Sequence, residues 1–437
     1  MLRYLGLLAI GALLLGGSDL VRLDVVSAAS ARPQRHRTRS DRGRPLVSSG
    51  DSHWVAAWGA SPQPATSRNG SASGFDDQTI RNILFSSVGG SMVRVRLTNT
   101  FGSQPLEVGR AAIGVQGAGA GVAAGTNLAL SFAGRPSVLI PPGAQALSDP
   151  VRLTVMAEQH LAVSVFVPDF TGPATQHADA QQLNYVAQGD QALDPTAAAF
   201  AVRTPSWYFL DSVDVLSPPA DLGVVAALGD SITDGVGSPV DANARWPNDL
   251  ARRLDARGRE RLSVIDEGIG GNRVLNDALC CGINAVARFE SDVVDQSDAR
   301  EVILLEGIND IGFSQHRGAL TAPHTNVSAA QIIAGYAQII DQAHAAGLKI
   351  IGGTLTPFKG ARYWTPAGEA KREALNQWIR HSGAFDGVVD FAHAVADPNH
   401  PEILNPAYDS GDHLHPNGAG YRAMANAISL AMLLRNS

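Results

Sequence analysis

The periodicity of the apolar residues changes near residue 220, and this change constrains the fold more than any other feature of the chain. Through residues 52–216 apolar side chains recur at every second position, as in Val93, Val95 and Leu97. Runs of this kind, separated by Gly, Pro, Asn and Asp, are typical of short strands joined by turns. The pattern therefore predicts an all-β sandwich of jelly-roll type in this region, without a helix.

Beyond a short Pro-containing linker at residues 217–221, the pattern becomes an alternation of strands and helices. Apolar runs predict five strands, at residues 223–229, 262–265, 302–305, 349–354 and 388–391. Helical periodicity predicts helices near residues 244–257, 285–295, 329–346, 368–379 and 418–434. This alternation is the pattern of a parallel sheet covered by helices on both faces, so residues 222–437 are predicted to form an α/β domain.

The N-terminal segment has the pattern of a processing signal. A positive charge precedes an apolar stretch at residues 4–17, which is shorter than the roughly 20 residues that a membrane span requires. Residues 29–31 (Ala-Ser-Ala) match a signal cleavage site, and residues 26–28 (Val-Ser-Ala) are an alternative one. Residues 1–31 are therefore expected to be a signal peptide, with an uncleaved anchor as the alternative. We expect a secreted protein that is not stably inserted in a membrane after cleavage.

Charge and composition exclude some classes of partner. Residues 32–51 are basic and poor in apolar side chains, which predicts a disordered linker. The whole chain of 437 residues nevertheless has a formal net charge of −7, which argues against nucleic acid as its partner. No Cys and His cluster with metal-ligand spacing occurs, so a metal site is not expected.

Ser231 follows the first predicted strand of the α/β domain, in the sequence Gly-Asp-Ser-Ile at residues 229–232. Ligands of such sheets bind beyond the carboxyl ends of the strands. A serine on the turn after a buried strand can present its hydroxyl beside backbone N–H groups, which suits a nucleophile. Such a nucleophile also needs a base, a group that orients the base, and donors for an oxyanion.

Three Asp-x-x-His pairs late in the chain are candidates for the orienting group and the base: Asp390/His393, Asp397/His400 and Asp412/His415. Spacing alone does not separate them. The first pair lies at a predicted strand, and the second lies in a Pro/Asn-rich segment that no helix follows. The third precedes Pro-Asn-Gly and the last predicted helix, which favours a constrained loop. Asp412 and His415 are therefore preferred, with Asp397 and His400 as the alternative.

Two glycine-containing loops follow the second and third predicted strands, at residues 268–272 (Gly-Ile-Gly-Gly-Asn) and 307–310 (Gly-Ile-Asn-Asp). A glycine lets the backbone approach a substrate closely. An asparagine side chain can donate to an oxyanion, and such a contact is worth about 2.7–4 kcal/mol of transition-state stabilisation. Each loop alone is more often a simple turn, but three suitable loops after three successive strands favour a catalytic site.

With these blocks in this order, residues 222–435 resemble the GDSL, or SGNH, hydrolase family, which is named for a Ser, a Gly, an Asn and a His in four separate blocks. The matching blocks are residues 229–232, 268–271, 307–310 and 412–416, with Ile232 where the family name has Leu. The resemblance implies a flavodoxin-like three-layer domain with a parallel sheet. It also implies a serine esterase that acts on carboxylic esters.

The resemblance assigns a role to each matching position of these blocks. It implies that Ser231 is the nucleophile, that His415 takes and returns the proton, and that Asp412 orients the histidine. The N–H groups of Ser231 and Gly271 and the side chain of Asn309 are the implied oxyanion donors. The mechanism implies no metal and no organic cofactor.

Some details of the blocks stay open. Gly270, which precedes Gly271, leaves the oxyanion glycine uncertain by one residue. The adjacent acids Asp230, Asp234 and Asp310 are expected to brace the loops rather than take part in the chemistry.

The only two cysteines, Cys280 and Cys281, are adjacent and lie about ten residues after the Gly271 loop. In an exported protein they can form a disulfide or remain two thiols, and the sequence leaves both open. A bridge here would stiffen a loop at the pocket, whereas incidental packing is the simpler interpretation.

The leading interpretation is a secreted serine carboxylester hydrolase that acts through an acyl-enzyme. Its expected partner is an ester substrate, with acylated polysaccharide or another short-chain ester as the candidate. A lipase or broad aryl-esterase is the nearest alternative, and a non-catalytic carbohydrate-binding surface protein is an alternative of another class. The sequence does not decide whether the β-sandwich binds carbohydrate or only walls one side of the cleft.

Overall fold

The computed structural model describes residues 52–434, apart from residues 68, 219, 220, 222, 259, 260, 316 and 317. The predicted signal peptide and basic linker lie outside the described residues, as does part of the linker predicted at residues 217–221. The described residues belong to one compact unit. The domain boundaries proposed above stay predictions.

The N-terminal region of the described chain consists of strands with a single 3-10 turn, Ser71–Ser73. The strands are β1 His53–Gly59, β2 Gln78–Phe85, β3 Val93–Thr98, β4 Leu106–Val108, β5 Arg110–Val115, β6 Leu128–Ala129, β7 Val138–Ile140, β8 Gln145–Leu147, β9 His160–Val167, β10 Gln176–His177, β11 Asn184–Gln188, β12 Val202–Thr204, β13 Trp207–Tyr208 and β14 Leu210–Ser217.

These strands pair antiparallel throughout the described part of the region. The two larger sheets have the strand orders β1-β14-β3-β8 and β12-β11-β2-β9-β5-β6, and β10-β13 and β4-β7 form two-stranded sheets. In β3 the residues Val93, Val95 and Leu97 are buried whereas Arg94 and Arg96 are partly exposed, because successive side chains point to opposite faces. The antiparallel sheets confirm the all-β prediction for this region.

The C-terminal region is built on one parallel sheet. Its strands are β15 Val224–Gly229, β16 Ser263–Gly268, β17 Ala299–Leu305, β18 Lys349–Gly353 and β19 Gly387–Val389, in the order β16-β15-β17-β18-β19. All neighbouring strands are parallel. This order, 2-1-3-4-5 within the sheet, is the flavodoxin-like one, and it confirms the predicted fold class.

The helices of this region connect and cover the strands. They are α1 Ser231–Asp234, α2 Trp246–Asp255, α3 Ala285–Phe289, α4 Ile308–Gly312, α5 Ala329–Ala345, α6 Pro366–His381, α7 Phe391–Val395, α8 Gly418–Ala427 and α9 Leu430–Leu433. A π-helical turn, Glu290–Val294, continues α3, and 3-10 turns occur at Phe313–Gln315 and Ala319–Thr321.

The end of the chain differs from the single helix predicted at residues 418–434. The chain leaves helical geometry at Ile428, between α8 and α9. Arg253 of α2 donates to the carbonyl oxygens of Ala425 and Ile428. Carbonyl groups at the end of a helix lack partners within the helix, so this guanidinium stabilises the interruption.

Strand order places the functional crevice between β15 and β17. The chain passes from β15 to β16, its neighbour on one side, and later reaches β17, its neighbour on the other side. The loops that follow β15 and β17 therefore run in opposite directions and leave a crevice between them. All six residues of β15 are buried, as expected for a central strand of a covered parallel sheet.

The β region packs against the α/β region along β16. The Ser61 hydroxyl, just after β1, donates to Glu267 Oε2 over 2.7 Å, and Arg288 donates to the same hydroxyl over 2.9 Å. The Ala56 N–H donates to the Ser297 carbonyl over 3.1 Å. The Ser61 contacts lie at the carboxyl end of β16, where the candidate site lies, whereas the Ala56 contact lies just before β17, at the other end of the sheet.

Candidate active site

Ser231 lies where β15 turns into the short helix α1. The Asp230 carboxylate caps this helix by accepting the Ile232 N–H over 2.9 Å. Gly229 is required at the turn, because a Cβ there would overlap the Leu305 carbonyl oxygen and the Thr233 hydroxyl. The turn therefore passes directly over the end of β17. Ser231 is 7% exposed, and it lines the cavity described below.

The Ser231 hydroxyl is the start of a hydrogen-bond chain with His415 and Asp412. The distance from Ser231 Oγ to His415 Nε2 is 2.8 Å, and His415 Nδ1 lies 2.6 Å from Asp412 Oδ2. The other carboxylate oxygen, Asp412 Oδ1, accepts the N–H groups of Leu414 and His415 over 3.0 and 2.8 Å. The loop before α8 thus fixes the carboxylate, and the carboxylate fixes the ring.

The same contacts keep Asp412 ionised. Burial alone would raise the pKa of its carboxyl, but hydrogen bonds from the His415 ring and from the His415 and Leu414 N–H groups outweigh burial. The pKa of Asp412 consequently lies well below its usual range. In general, an ionised carboxylate at Nδ1 favours the histidine tautomer that has its proton on Nδ1 and an acceptor at Nε2.

The aspartates of the two other Asp-x-x-His pairs hold the local backbone, Asp390 as the cap of α7 and Asp397 in a loop. Asp390 accepts the His393 N–H over 3.2 Å and binds the Arg380 guanidinium. Asp397 accepts the His400 N–H over 3.0 Å, and His400 is exposed. The histidine that the structure places at Ser231 is therefore His415.

Asn309 lies at the start of α4, after β17, with its amide held at both ends. Its Nδ2 donates to the Asn272 carbonyl over 3.0 Å, and its Oδ1 accepts the Tyr363 hydroxyl over 3.2 Å. Because an amide nitrogen carries two hydrogens, one N–H remains for a further acceptor. Asn309 is buried and lines the same cavity as Ser231.

Gly271 faces the cavity from the loop after β16. Its φ of +78° is in the left-handed region that favours glycine. A Cβ on Gly271 would lie 2.5 Å from Cys281 Sγ, so no side chain fits between this loop and the cysteine pair. Gly270 also lines the cavity, so both glycines that the sequence left open are near Ser231.

The acidic residues next to the blocks hold the loops. Asp310 accepts the N–H groups of Val274 and Leu275 over 2.7 and 3.1 Å, and burial raises its pKa to about 6. Burial also raises the pKa of Asp230 to about 7. These contacts agree with the expectation that the acids brace the site.

Asp234, at the end of α1, connects this helix to the β region. Its Oδ1 lies 3.1 Å from His177 Nε2, and His177 Nδ1 lies 3.0 Å from the Ser61 carbonyl oxygen. Burial acts to lower the pKa of His177, but the Asp234 carboxylate outweighs it and raises that pKa. The β region therefore holds the helix that carries Ser231 through a buried hydrogen bond between His177 and Asp234.

Arg288 joins the ends of the first two strands of the sheet. Its guanidinium donates to the Gly229 and Glu267 carbonyl oxygens, each over 2.8 Å, and to Asn272 Oδ1 over 3.0 Å. Arg288 is 3% exposed. Since these carbonyls flank the Ser231 and Gly271 turns, one buried side chain sets the spacing between both turns.

The cysteine pair, which the sequence left open, forms a Cys280–Cys281 disulfide. Both residues line the cavity at Ser231.

The cavity has a volume of about 300 Å³ and is formed by both regions of the chain. The β region contributes Thr66, Asn69, Ala178 and Asp179. The α/β region adds apolar walls from Val236, Phe313, Leu320, Tyr363 and Leu414.

Sequence reasoning missed the residues that support the site from a distance. Tyr363, Arg288 and Asn272 hold the donors and turns, and Asn69 and Asp179 come from the other region. Only Asn272 lies in a loop that the sequence singled out, residues 268–272, and no role was predicted for it there. The other four belong to no motif.

Two features are absent from the part of the chain that the structure describes. No group of three His, Cys, Asp or Glu side chains among the described residues could hold a metal ion. Likewise, none of the described helices combines the length and the hydropathy of a membrane span.

Solved structures similar to about half of this chain include three relevant proteins. A GDSL-like lipase of Bacteroides thetaiotaomicron is 20% identical and covers 49% of this chain and 88% of its own, with a TM-score of 0.36. An acetylxylan esterase of Geobacillus stearothermophilus, as a catalytic mutant, is 20% identical and covers 46% and 90%, with a TM-score of 0.36. A carbohydrate acetylesterase family member of Sinorhizobium meliloti is 18% identical and covers 48% and 98%, with a TM-score of 0.38. These likenesses are too distant to carry an argument about activity.

The family comparison is more specific. No curated protein sequence matches the chain. Residues 227–423 match the model of the GDSL-like lipase/acylhydrolase family, whose members are hydrolases that act on esters. The match spans all four blocks that carried the resemblance, from Ser231 to His415. The resemblance that the four blocks carried is therefore confirmed as a GDSL-like lipase/acylhydrolase domain at residues 227–423.

Proposed function

We propose that the protein is a serine carboxylester hydrolase that acts through an acyl-enzyme. The observation that carries the proposal is the hydrogen-bond chain from Ser231 through His415 to Asp412, at 2.8 and 2.6 Å. Distances of this size are those of a nucleophile–base–orienter set. The family alone indicates an ester hydrolase, and this chain of contacts supports the serine mechanism.

The steps follow from the geometry. Ser231 Oγ attacks the acyl carbon while His415 Nε2 takes its proton, and the carbonyl oxygen becomes an oxyanion. The N–H groups of Ser231 and Gly271 and the remaining N–H of Asn309 donate to that oxyanion. The ester C–O bond then breaks, and His415 returns the proton to the leaving alcohol. A water molecule, deprotonated by His415, hydrolyses the acyl-enzyme and restores the serine.

The cavity supports an ester with a small acyl group and a hydroxylated alcohol. A volume of about 300 Å³ is at the lower end of the range for ligand sites. Polar residues of the β region, Asn69, Asp179 and Thr66, form one side of it. Hydroxyl groups of a sugar would find hydrogen-bond partners there. We therefore propose deacetylation of polysaccharide, outside the cell if the N-terminal signal pattern is used.

The longer-chain alternative, a lipase or aryl-esterase, is favoured by the apolar wall that includes Phe313 and Leu320. A series of nitrophenyl esters from acetyl to palmitoyl, assayed beside acetylated xylan, separates the two. Acetate release from xylan and a preference for acetyl esters support the deacetylase. A clear preference for long chains would contradict it.

Ser231→Ala tests the mechanism itself. The variant removes the nucleophile without adding bulk, so it is expected to lose ester turnover while its melting temperature stays within a few degrees of the parent. Turnover by Ser231→Ala at more than about a hundredth of the parent rate would contradict the acyl-enzyme assignment.

A further inference from the structure

The Cys280–Cys281 disulfide packs directly on the loop that carries Gly271. Cys281 Sγ occupies the space in which a Cβ on Gly271 would lie, at 2.5 Å from that position. Cys281 is 5% exposed. Cys281 therefore packs against the backbone of Gly271 through its sulfur and also lines the cavity at Ser231.

Asn272 connects this disulfide to both proposed oxyanion donors. Its Nδ2 donates to the carbonyl oxygens of Cys281 and Ile283 over 2.7 and 2.8 Å. Its own carbonyl oxygen accepts Asn309 Nδ2 over 3.0 Å. Because Asn272 directly follows Gly271 in the chain, a shift of the cysteine loop is transmitted to Gly271 and to Asn309 together.

The cysteine loop is also fixed from outside. The Cys280 N–H donates to the Leu320 carbonyl over 3.1 Å, and the Ala278 N–H donates to the Gly282 carbonyl over 3.1 Å. Gln63 of the β region donates to the Cys280 carbonyl over 3.4 Å. With its backbone held in this way, the position of Cys281 Sγ depends on the bond to its neighbour.

A bond between adjacent residues has little to contribute to global stability. In the chain-entropy model a disulfide stabilises by closing a loop in the unfolded chain, and the gain grows with loop length. A sequence separation of 1 closes the shortest loop there is. The effect of this bond is therefore expected in local geometry rather than in the free energy of unfolding.

Reduction changes that geometry. A dithiol donates two electrons and two protons, the S–S bond breaks, two thiols form, and the dithiol becomes its cyclic disulfide. Bonded sulfurs are about 2.05 Å apart, whereas atoms that are only in contact keep about 3.5–4.0 Å. The two thiols need more space than the bridge, and Gly271 is the immediate neighbour of one of them.

We propose that the Cys280–Cys281 disulfide is a positioning element of the oxyanion site, which holds Gly271 and, through Asn272, Asn309 in place. The inference rests on the proposed esterase function. Reduction is expected to lower kcat at least tenfold, with KM changed by less than about twofold, because the donors act mainly in the transition state.

The experiment compares the purified oxidised protein with the same protein after dithiothreitol, with nitrophenyl acetate as substrate. Intact-mass measurement after alkylation establishes the state of Cys280 and Cys281 in each sample. The expected result is a tenfold or larger loss of kcat that reoxidation reverses. The double variant Cys280→Ser/Cys281→Ser is expected to start with the low kcat and not to respond to dithiothreitol.

Leu279→Ala is the matched control, because Leu279 lies on the same loop and is 65% exposed. It is expected to keep the parent kcat and the parent response to dithiothreitol. If the double variant fails to fold, the wild-type comparison decides alone.

Three results would overturn the proposal: free thiols in the purified active enzyme, a kcat that reduction leaves unchanged, or unfolding of the whole chain on reduction. If the oxidised enzyme has no esterase activity, the proposed function is contradicted, and this inference, which rests on it, is contradicted as well.

Discussion

Asn309→Ala is the substitution that most directly tests the oxyanion site. The Asn309 amide has two N–H groups, of which one is bound to the Asn272 carbonyl at 3.0 Å. Alanine removes the other donor from a buried cavity, where one such contact is worth about 2.7–4 kcal/mol in the transition state. We therefore expect kcat to fall about 10²- to 10³-fold. KM is expected to change little, because the donor acts mainly on the developing charge.

A graded series strengthens this prediction. Tyr363→Phe removes only the hydroxyl that donates to Asn309 Oδ1 at 3.2 Å, a single hydrogen bond worth about 0.5–1.5 kcal/mol. Its kcat is expected to fall roughly two- to tenfold. Asn309→Asp keeps the shape but replaces the donor by an acceptor opposite the Asn272 carbonyl, so it is expected to lose at least as much activity as alanine.

The assay is initial-rate kinetics on nitrophenyl acetate, with thermal melting of each variant as the control for folding. The expected order of kcat is parent, Tyr363→Phe, Asn309→Ala, with Asn309→Asp at or below the alanine variant. A folded Asn309→Ala enzyme with kcat within about threefold of the parent would refute the reasoning, because the amide would then not contact the oxyanion.

Two further predictions concern the base and the buried acids. His415→Ala is expected to lower kcat/KM by about 10⁴-fold or more, whereas His400→Ala is expected to stay within about twofold; the reverse pattern would refute the choice of base. Burial raises the pKa of Asp230 to about 7 in the folded protein, whereas in the unfolded chain it is about 4. Between these two values the folded state keeps the proton and the unfolded state does not. The free energy of unfolding that Asp230 contributes is therefore complete below pH 4 and is lost, at about 1.4 kcal/mol per pH unit, as the pH rises to 7. The urea midpoint of unfolding is therefore expected to fall from pH 5 to pH 8, and less so in Asp230→Asn; a parent midpoint that rises over this range would contradict the argument.

The local sequence pattern was sufficient to predict the strands of the parallel sheet. The apolar run of β15 is buried along its whole length, and such a run followed by Gly-Asp-Ser can be recognised without any neighbour. Helix ends were less predictable, because they depend on partners far away in the chain. Arg253 stabilises the break after α8, and nothing in the local sequence of Ala425–Ile428 signals it.

The same distinction between local sequence and distant contacts applies to the candidate site. The sequence by itself determined the parallel α/β domain and the four blocks around Ser231, since residue type and spacing along one strand or loop carry that information. Tertiary structure alone decided that His415 contacts Ser231 across 184 positions, that the cysteines form a bridge against Gly271, and that Asp179 of the β region reaches the cavity. These contacts are long-range, and their energies depend on how the two regions pack, which no local pattern encodes.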